Sequence, residues 1–97
     1  MIFKNDWNFG GEIVRLKDFG DGNGGNVMIR GITDIGGLIE LSVFMAEKVF
    51  QRVVDRDDYK YKKINVNGHF EIKVHETSGK NIKQNLKLIA DDFKWVS

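Results

Sequence analysis

Ninety-seven residues, 41% hydrophobic and 30% charged, suit one small globular domain spanning 1–97; they exclude a disordered composition and two separately buried cores. The absence of cysteine rules out disulfides, thiolate metal sites and a cysteine nucleophile. A formal net charge of +1 is small for a nucleic-acid binder, so any basic surface has to be a local stripe.

The first strand is predicted over Trp7 to Lys17, with Phe9, Ile13 and Arg15 on one face and Val14 and Leu16 on the other. Gly10-Gly11 inside it marks a bulge, a bend or the close approach of another backbone. Asp18-Phe19-Gly20-Asp21-Gly22-Asn23-Gly24-Gly25 reads by composition as a flexible loop. Its Gly22-x-Gly24 run is a poor phosphate-loop match, because no helix and no Lys-Ser or Lys-Thr pair follows. A second strand, Asn26 to Thr33, turns at Asp34 to Gly37 into a third, Leu38 to Phe44. There Ile39, Leu41 and Val43 face inward while Glu40, Ser42 and Phe44 face outward. From Met45 the period becomes helical through Val49, Phe50 and Val53, giving one short helix before a charged connection, Asp55 to Lys63.

The remaining chain, Ile64 to Ala90, is predicted as two long strands joined at Thr77-Ser78-Gly79-Lys80. Ile64, Val66, Phe70, Ile72 and Val74, then Ile82, Leu86, Leu88 and Ala90, share an apolar side assigned to a core. Asn65, Asn67, His69, Glu71, Lys73 and His75, with Lys83, Asn85, Lys87 and Asp91, form a wet, net-positive side. The order strand, strand, strand, helix, strand, strand at this length predicts an all-β fold, a five-stranded Greek-key barrel of the OB type with its helix between strands three and four. Closure also removes edges that the proline-free strands would otherwise expose.

No spacing of serine, histidine and carboxylate brings a nucleophile, base and orienting group together, so no enzyme and no cofactor is expected. His69 and His75 on one extended strand are roughly 20 Å apart, too far to share a metal. Asp91-Asp92 reads as a solvated strand end. Single-stranded nucleic acid needs cations for phosphates and exposed rings for bases. Arg15, Lys17, Arg30, Lys73 and Lys87 supply cations from four strands, and Phe44 supplies an aromatic ring on the polar face of strand three unless that strand ends early and the ring packs under the helix. Trp7 and Trp95, near strand ends, suit a core edge, a subunit contact or a stacked base. Tyr59-Lys60-Tyr61-Lys62-Lys63 interleaves rings with cations, although Asp55, Asp57 and Asp58 oppose phosphate there, and a solvated loop explains it equally well.

In this order, Gly10, Asn23-Gly24-Gly25-Asn26-Val27, Val66-Asn67-Gly68-His69-Phe70-Glu71 and Leu86-Lys87-Leu88-Ile89-Ala90-Asp91-Asp92-Phe93 resemble the bacterial and phage single-stranded-DNA-binding proteins, nearly end to end. The resemblance implies an OB fold, dimers or tetramers, and sequence-tolerant wrapping of single-stranded DNA on aromatic platforms and basic residues, in replication, recombination or repair. Phe44 matches the family's stacking phenylalanine, while Leu38 and His75 stand where many relatives place tryptophans. The sequence ends at Trp95-Val96-Ser97 without the family's acidic, phenylalanine-tipped tail, so recruitment of replication or recombination proteins through such a tail is not carried over. A tailless primosome-type or assembly module acting through protein contacts is the alternative, and RNA is a second possible ligand. No apolar run reaches the roughly 20 residues of a membrane span and the N-terminus is no signal peptide, so a cytoplasmic protein without a membrane partner is expected.

Overall fold

The computed structural model describes residues 6–32, 35–77 and 81–96, and only the backbone of 73–77 and 81–85. Its elements run β1 (Asp6–Asp18), β2 (Gly25–Ile32), β3 (Leu38–Met45), α1 (Glu47–Val54), β4 (Lys63–Thr77) and β5 (Asn81–Trp95). The strands close into a barrel in the order β1-β2-β3-β5-β4, with β4 returning to β1. All pairings are antiparallel except the short parallel contact Phe44↔Ile89 and Met45↔Ala90, which closes β3 on β5. This is the OB topology that the order of elements predicts, with the helix between β3 and β4.

The alternation of β2 is clean: Val27 and Ile29 are buried, and Met28 and Arg30 point outward. In β3, Val43 and Met45 are buried, so Met45 closes the strand rather than opening the helix as its spacing suggested. The helix buries Phe50 and Val53 against the same core as Ile13, Ile64, Val66 and Phe93. Phe50 and Phe93 are the largest fully buried side chains, and each ring taken out of water stabilises the fold by roughly 1.5–3 kcal/mol.

Two irregularities correct the expected faces. In β1 the register is unbroken through Gly10-Gly11 and shifts at Val14 instead, between Ile13↔Ile29 and Arg15↔Met28. The extra residue turns Arg15 and Lys17 outward and Leu16 toward the core, so Arg15 does not share a face with Ile13. Gly11 serves close approach: a Cβ there would collide with the Arg30 carbonyl. The second shift lies in β5, where Gly68 pairs with Ala90 and Asn67 with Asp92, leaving Asp91 as the extra residue. Ala90 and Phe93 therefore both reach the core.

The β4–β5 hairpin also outruns the barrel. Its pairing continues to Thr77↔Asn81, whereas the described pairing of β4 with β1 runs to Asp6↔His69. Among the described residues no further strand pairs with β4 beyond that point, and Ile72 and Leu86, paired across the strands, are 64% and 63% exposed. Of the apolar side assigned to the core, Ile64 and Val66 are buried, Phe70 is half-buried and Ile72 is exposed, and the distal part of the paired hairpin forms an arm. The turn residues Ser78, Gly79 and Lys80, and Thr33 and Asp34 between β2 and β3, lie outside the described residues.

Candidate nucleic-acid interface

The outward residues of β1, β2 and β3 form rows across the barrel because register places them side by side. The upper row is Lys17, Asn26 and Phe44; the next is Arg15, Met28 and Ser42; the third is Glu12, Arg30 and Glu40. Beyond the upper row, β5 joins through Ile89, and Lys87 stands two residues along on the same side.

Phe44 is half-buried and stacked on Phe19, with centroids 6.2 Å apart and rings inclined by 16°. A cation accompanies each ring: Lys87 Nζ is 4.0 Å from the Phe44 centroid, and Lys17 Nζ is 6.0 Å from that of Phe19. Glu71, the register partner of Lys87, has its carboxylate 4.0 Å from His69 Nε2. A cleft lined by Phe19, Asn26, Ser42, Phe44, Lys87 and the arm residues Leu86 and Leu88 runs beside the ring pair. A second cleft, lined by Arg15, Leu16, Lys17, Asn26, Met28 and Ser42, shares Asn26 and Ser42 with it. Neither cleft has an acidic side chain in its lining. Together they present rings, aliphatic walls, an amide, a hydroxyl and three cations, which are the groups that hold a base and its phosphates.

Phe19 was not among the residues singled out from the sequence, because its glycine-, aspartate- and asparagine-rich surroundings read only as a loop. The structure closes that loop. Phe19 N–H donates to Gly24 O (3.0 Å), Asn23 N–H to Gly20 O (3.0 Å), and Gly20 N–H to Asp18 Oδ1 (2.8 Å). Glu47, at the start of the helix, accepts from Gly24 N–H at 2.8 Å and ties the loop to α1. These bonds set the Phe19 ring against Phe44, and the single aromatic residue within a turn-rich run was the available signal.

No protein-family model and no curated protein matches the sequence. Solved structures do match its fold. The mitochondrial single-stranded DNA binding protein Rim1 of S. cerevisiae superposes with a TM-score of 0.69 at 13% identity, covering 99% of this chain and 97% of that one. The N-terminal domain of the PriB protein from Thermoanaerobacter tencongensis, a dimeric structure, gives 0.66 at 12% identity over 96% and 97% of the two chains. Plasmodium falciparum SSB in complex with ssDNA gives 0.60 at 12% identity over 100% and 98%. The fold is that of the single-stranded-DNA-binding proteins. At these identities the likeness is one of fold, and the OB barrel with its helix is what the chains share.

Other candidate residues are distributed around this OB barrel. Arg30 is bound by Glu40, whose Oε1 accepts from Arg30 Nε at 3.1 Å and Nη2 at 2.9 Å. Tyr61 is 60% exposed, carries Lys60 Nζ 5.5 Å from its ring centroid, and lines a small cleft with Val14, Arg15, Arg30 and Glu40. Its backbone has φ +67°, and its N–H donates to Ile13 O at the Val14 bulge. Tyr59 is half-buried against the core. Trp7 packs on the core edge over Gly68 and donates its indole N–H to His69 O at 3.0 Å. Trp95 meets Phe93 edge-on at 5.3 Å under the Arg56 guanidinium. The side chains of Lys73 and His75 lie outside the described residues.

The acidic pair Asp91-Asp92 is exposed, as expected, but lies within β5 rather than at its end. Asp91 occupies the bulge and faces His69 Nδ1 at 2.8 Å. Asp92 pairs with Arg52 on the helix and accepts from Phe93 N–H at 2.8 Å. The Arg52 hydrogen bond, followed by that N–H, holds the Asp92 carboxyl below its ordinary value. Asp58 is likewise held low, first by the Arg56 hydrogen bond, with Lys62 adding to it. Among the described residues there is no cluster of three metal-ligating side chains and no helix long and apolar enough to cross a membrane.

Proposed function

We propose that this protein binds single-stranded DNA without sequence preference, stacking bases on Phe44 and Phe19 and drawing phosphates to Lys17, Arg15 and Lys87, as a non-catalytic module of replication, recombination or repair. The observation that carries this reading is the pair of adjoining clefts with two stacked rings, a cation beside each ring and no carboxylate in the lining. Bases of every kind offer a π-face to such rings, whereas sequence readout would need fixed donors and acceptors at each base edge. The printed names of Rim1 and of the Plasmodium protein support the choice of ligand. Exposed Ile32 and Leu38, paired across β2 and β3, support assembly into a dimer or tetramer. They equally serve the alternative of a module acting through protein contacts.

The test is an anisotropy titration of labelled oligo-dT across a salt series, with oligo-U and duplex DNA alongside. Three phosphate contacts predict a slope of log K on log salt near −2, at about −0.7 per contact. Duplex should bind more weakly, because paired bases have no free face. Salt-independent binding, or none at micromolar protein, overturns the reading; equal affinity for oligo-U extends the ligand to RNA.

A further inference from the structure

The outer face changes character from one end to the other. Its upper two rows carry Lys17 and Arg15 without a carboxylate, with Lys87 standing beyond on β5. In the third row Arg30 stands in register between Glu12 on β1 and Glu40 on β3, and its guanidinium is bonded to Glu40. Both Arg30 nitrogens that reach Glu40 converge on one oxygen, at 3.1 and 2.9 Å, so the cation is already engaged. Two glutamates and one arginine leave this row net negative in formal charge. Below it, Ile32 and Leu38 are 75% and 71% exposed and offer no charge to a phosphate.

We infer that Glu40 sets the boundary of the DNA track: it withholds Arg30 from phosphate and repels a backbone that would otherwise run down the face toward Ile32 and Leu38. The strand is thereby confined to the two upper rows and Lys87. This inference rests on the proposed binding of single-stranded DNA, and it makes Glu40 a determinant of strand path and site size rather than a stabilising ion-pair partner alone. Like charge facing a polyanion costs binding, so removing it has a sign opposite to that expected of a residue that contributes to the site.

The experiment compares wild type, Glu40→Gln, Glu40→Ala, Arg30→Ala and the Glu40→Gln/Arg30→Ala double variant. Each is titrated with oligo-dT of increasing length over a salt series, with Phe44→Ala as the control on the function itself. At moderate salt both Glu40 variants should bind about 3- to 10-fold more tightly, with a salt slope steeper by about 0.7 as Arg30 gains a phosphate. The oligonucleotide length at which affinity saturates should rise. Arg30→Ala alone should leave the slope unchanged, and in the double variant it should cancel the added slope. The inference is overturned if both Glu40 variants match wild type in slope and affinity, or if Arg30→Ala alone flattens the slope by about 0.7, which would mean that Arg30 already contacts phosphate. A wild type that does not bind, or a Phe44→Ala variant that binds as tightly as wild type, fails the functional reading itself and removes the basis of the inference.

Discussion

Phe44 is the side chain on which the proposed binding depends most, and its surroundings set how much its removal should cost. A base stacked on a protein ring is worth about 1–3 kcal/mol by alanine substitution. Here the ring is already engaged, because Lys87 Nζ lies 4.0 Å from its centroid. A half-exposed cation–π contact contributes roughly 0.5–1 kcal/mol, and an arriving base has to displace it. The difference leaves about 0.5–2 kcal/mol for Phe44→Ala, or roughly 2- to 30-fold in Kd. Phe44→Trp keeps a larger ring and should retain binding.

Lys87→Ala separates the two contributions. Loss of the ammonium removes one phosphate contact, which flattens the salt slope by about 0.7, yet it also uncovers the Phe44 ring. The variant should therefore bind more weakly than wild type at low salt and converge on it as salt rises. Anisotropy titrations at five or so salt concentrations measure both quantities, and thermal melts confirm that each variant is folded. Parallel salt lines for Lys87→Ala and wild type would refute the reasoning, as would a Phe44→Ala affinity within about twofold of wild type.

Two further expectations concern the scaffold. Gly68→Ala should be strongly destabilising, since the added Cβ would sit on the Ile89 carbonyl oxygen and 2.7 Å from the Trp7 ring, on a strand paired on both sides at that point. Overpacking of this kind costs about 1–3 kcal/mol, a melting-point drop of roughly 5–20 °C in a domain this small; a melt unchanged within about 2 °C contradicts the packing described. Asp92→Asn tests the Arg52 pair through pH. The native carboxyl is held below its ordinary 3.8, so the folded state binds fewer protons than the unfolded chain near that pH. The stabilisation is complete above 3.8 and lost as pH falls through the lower folded value. Denaturation midpoints of wild type and Asp92→Asn should therefore differ by a constant amount over about pH 5–7 and approach each other in acid, and a difference that persists undiminished below pH 3 counts against the pair.

The sequence revealed more of the barrel than of its surface. Strict alternation identifies β2 and β3, and it places Phe44 outward from Val43 without any tertiary information. Alternation groups Arg15 with Ile13 because the switch at Val14 falls inside Ile13-Val14-Arg15, a run with no turn residue to announce a bulge. The paired glycines drew attention to the position three residues earlier, where their purpose is to admit the Arg30 carbonyl. The reach of the β4–β5 arm was illegible for another reason: period-2 apolarity continues past His69, while the described pairing with β1 runs to Asp6↔His69. Ile72 and Leu86 keep the apolar period and are nonetheless exposed, which alternation alone does not reveal. Register across the β2–β3 turn was similarly out of reach, since a turn placed one residue away would have set Arg30 opposite something other than Glu40.

Those pairings also explain how a chain with a net charge of +1 presents a basic track. Asp92 is taken by Arg52, Asp58 by Arg56 and Lys62, Glu40 by Arg30, and Asp91 faces His69. None of these carboxylates is in the described linings of the two clefts, which contain Arg15, Lys17 and Lys87. The positive stripe is thus made by local neutralisation elsewhere rather than by an excess of lysine and arginine. Its field should be short-ranged: beyond a Debye length of about 8 Å at physiological salt, the nearly neutral whole takes over. On the proposed reading, long-range electrostatic steering of DNA should accordingly be weak, with the phosphate contacts acting on a strand already close to Phe44.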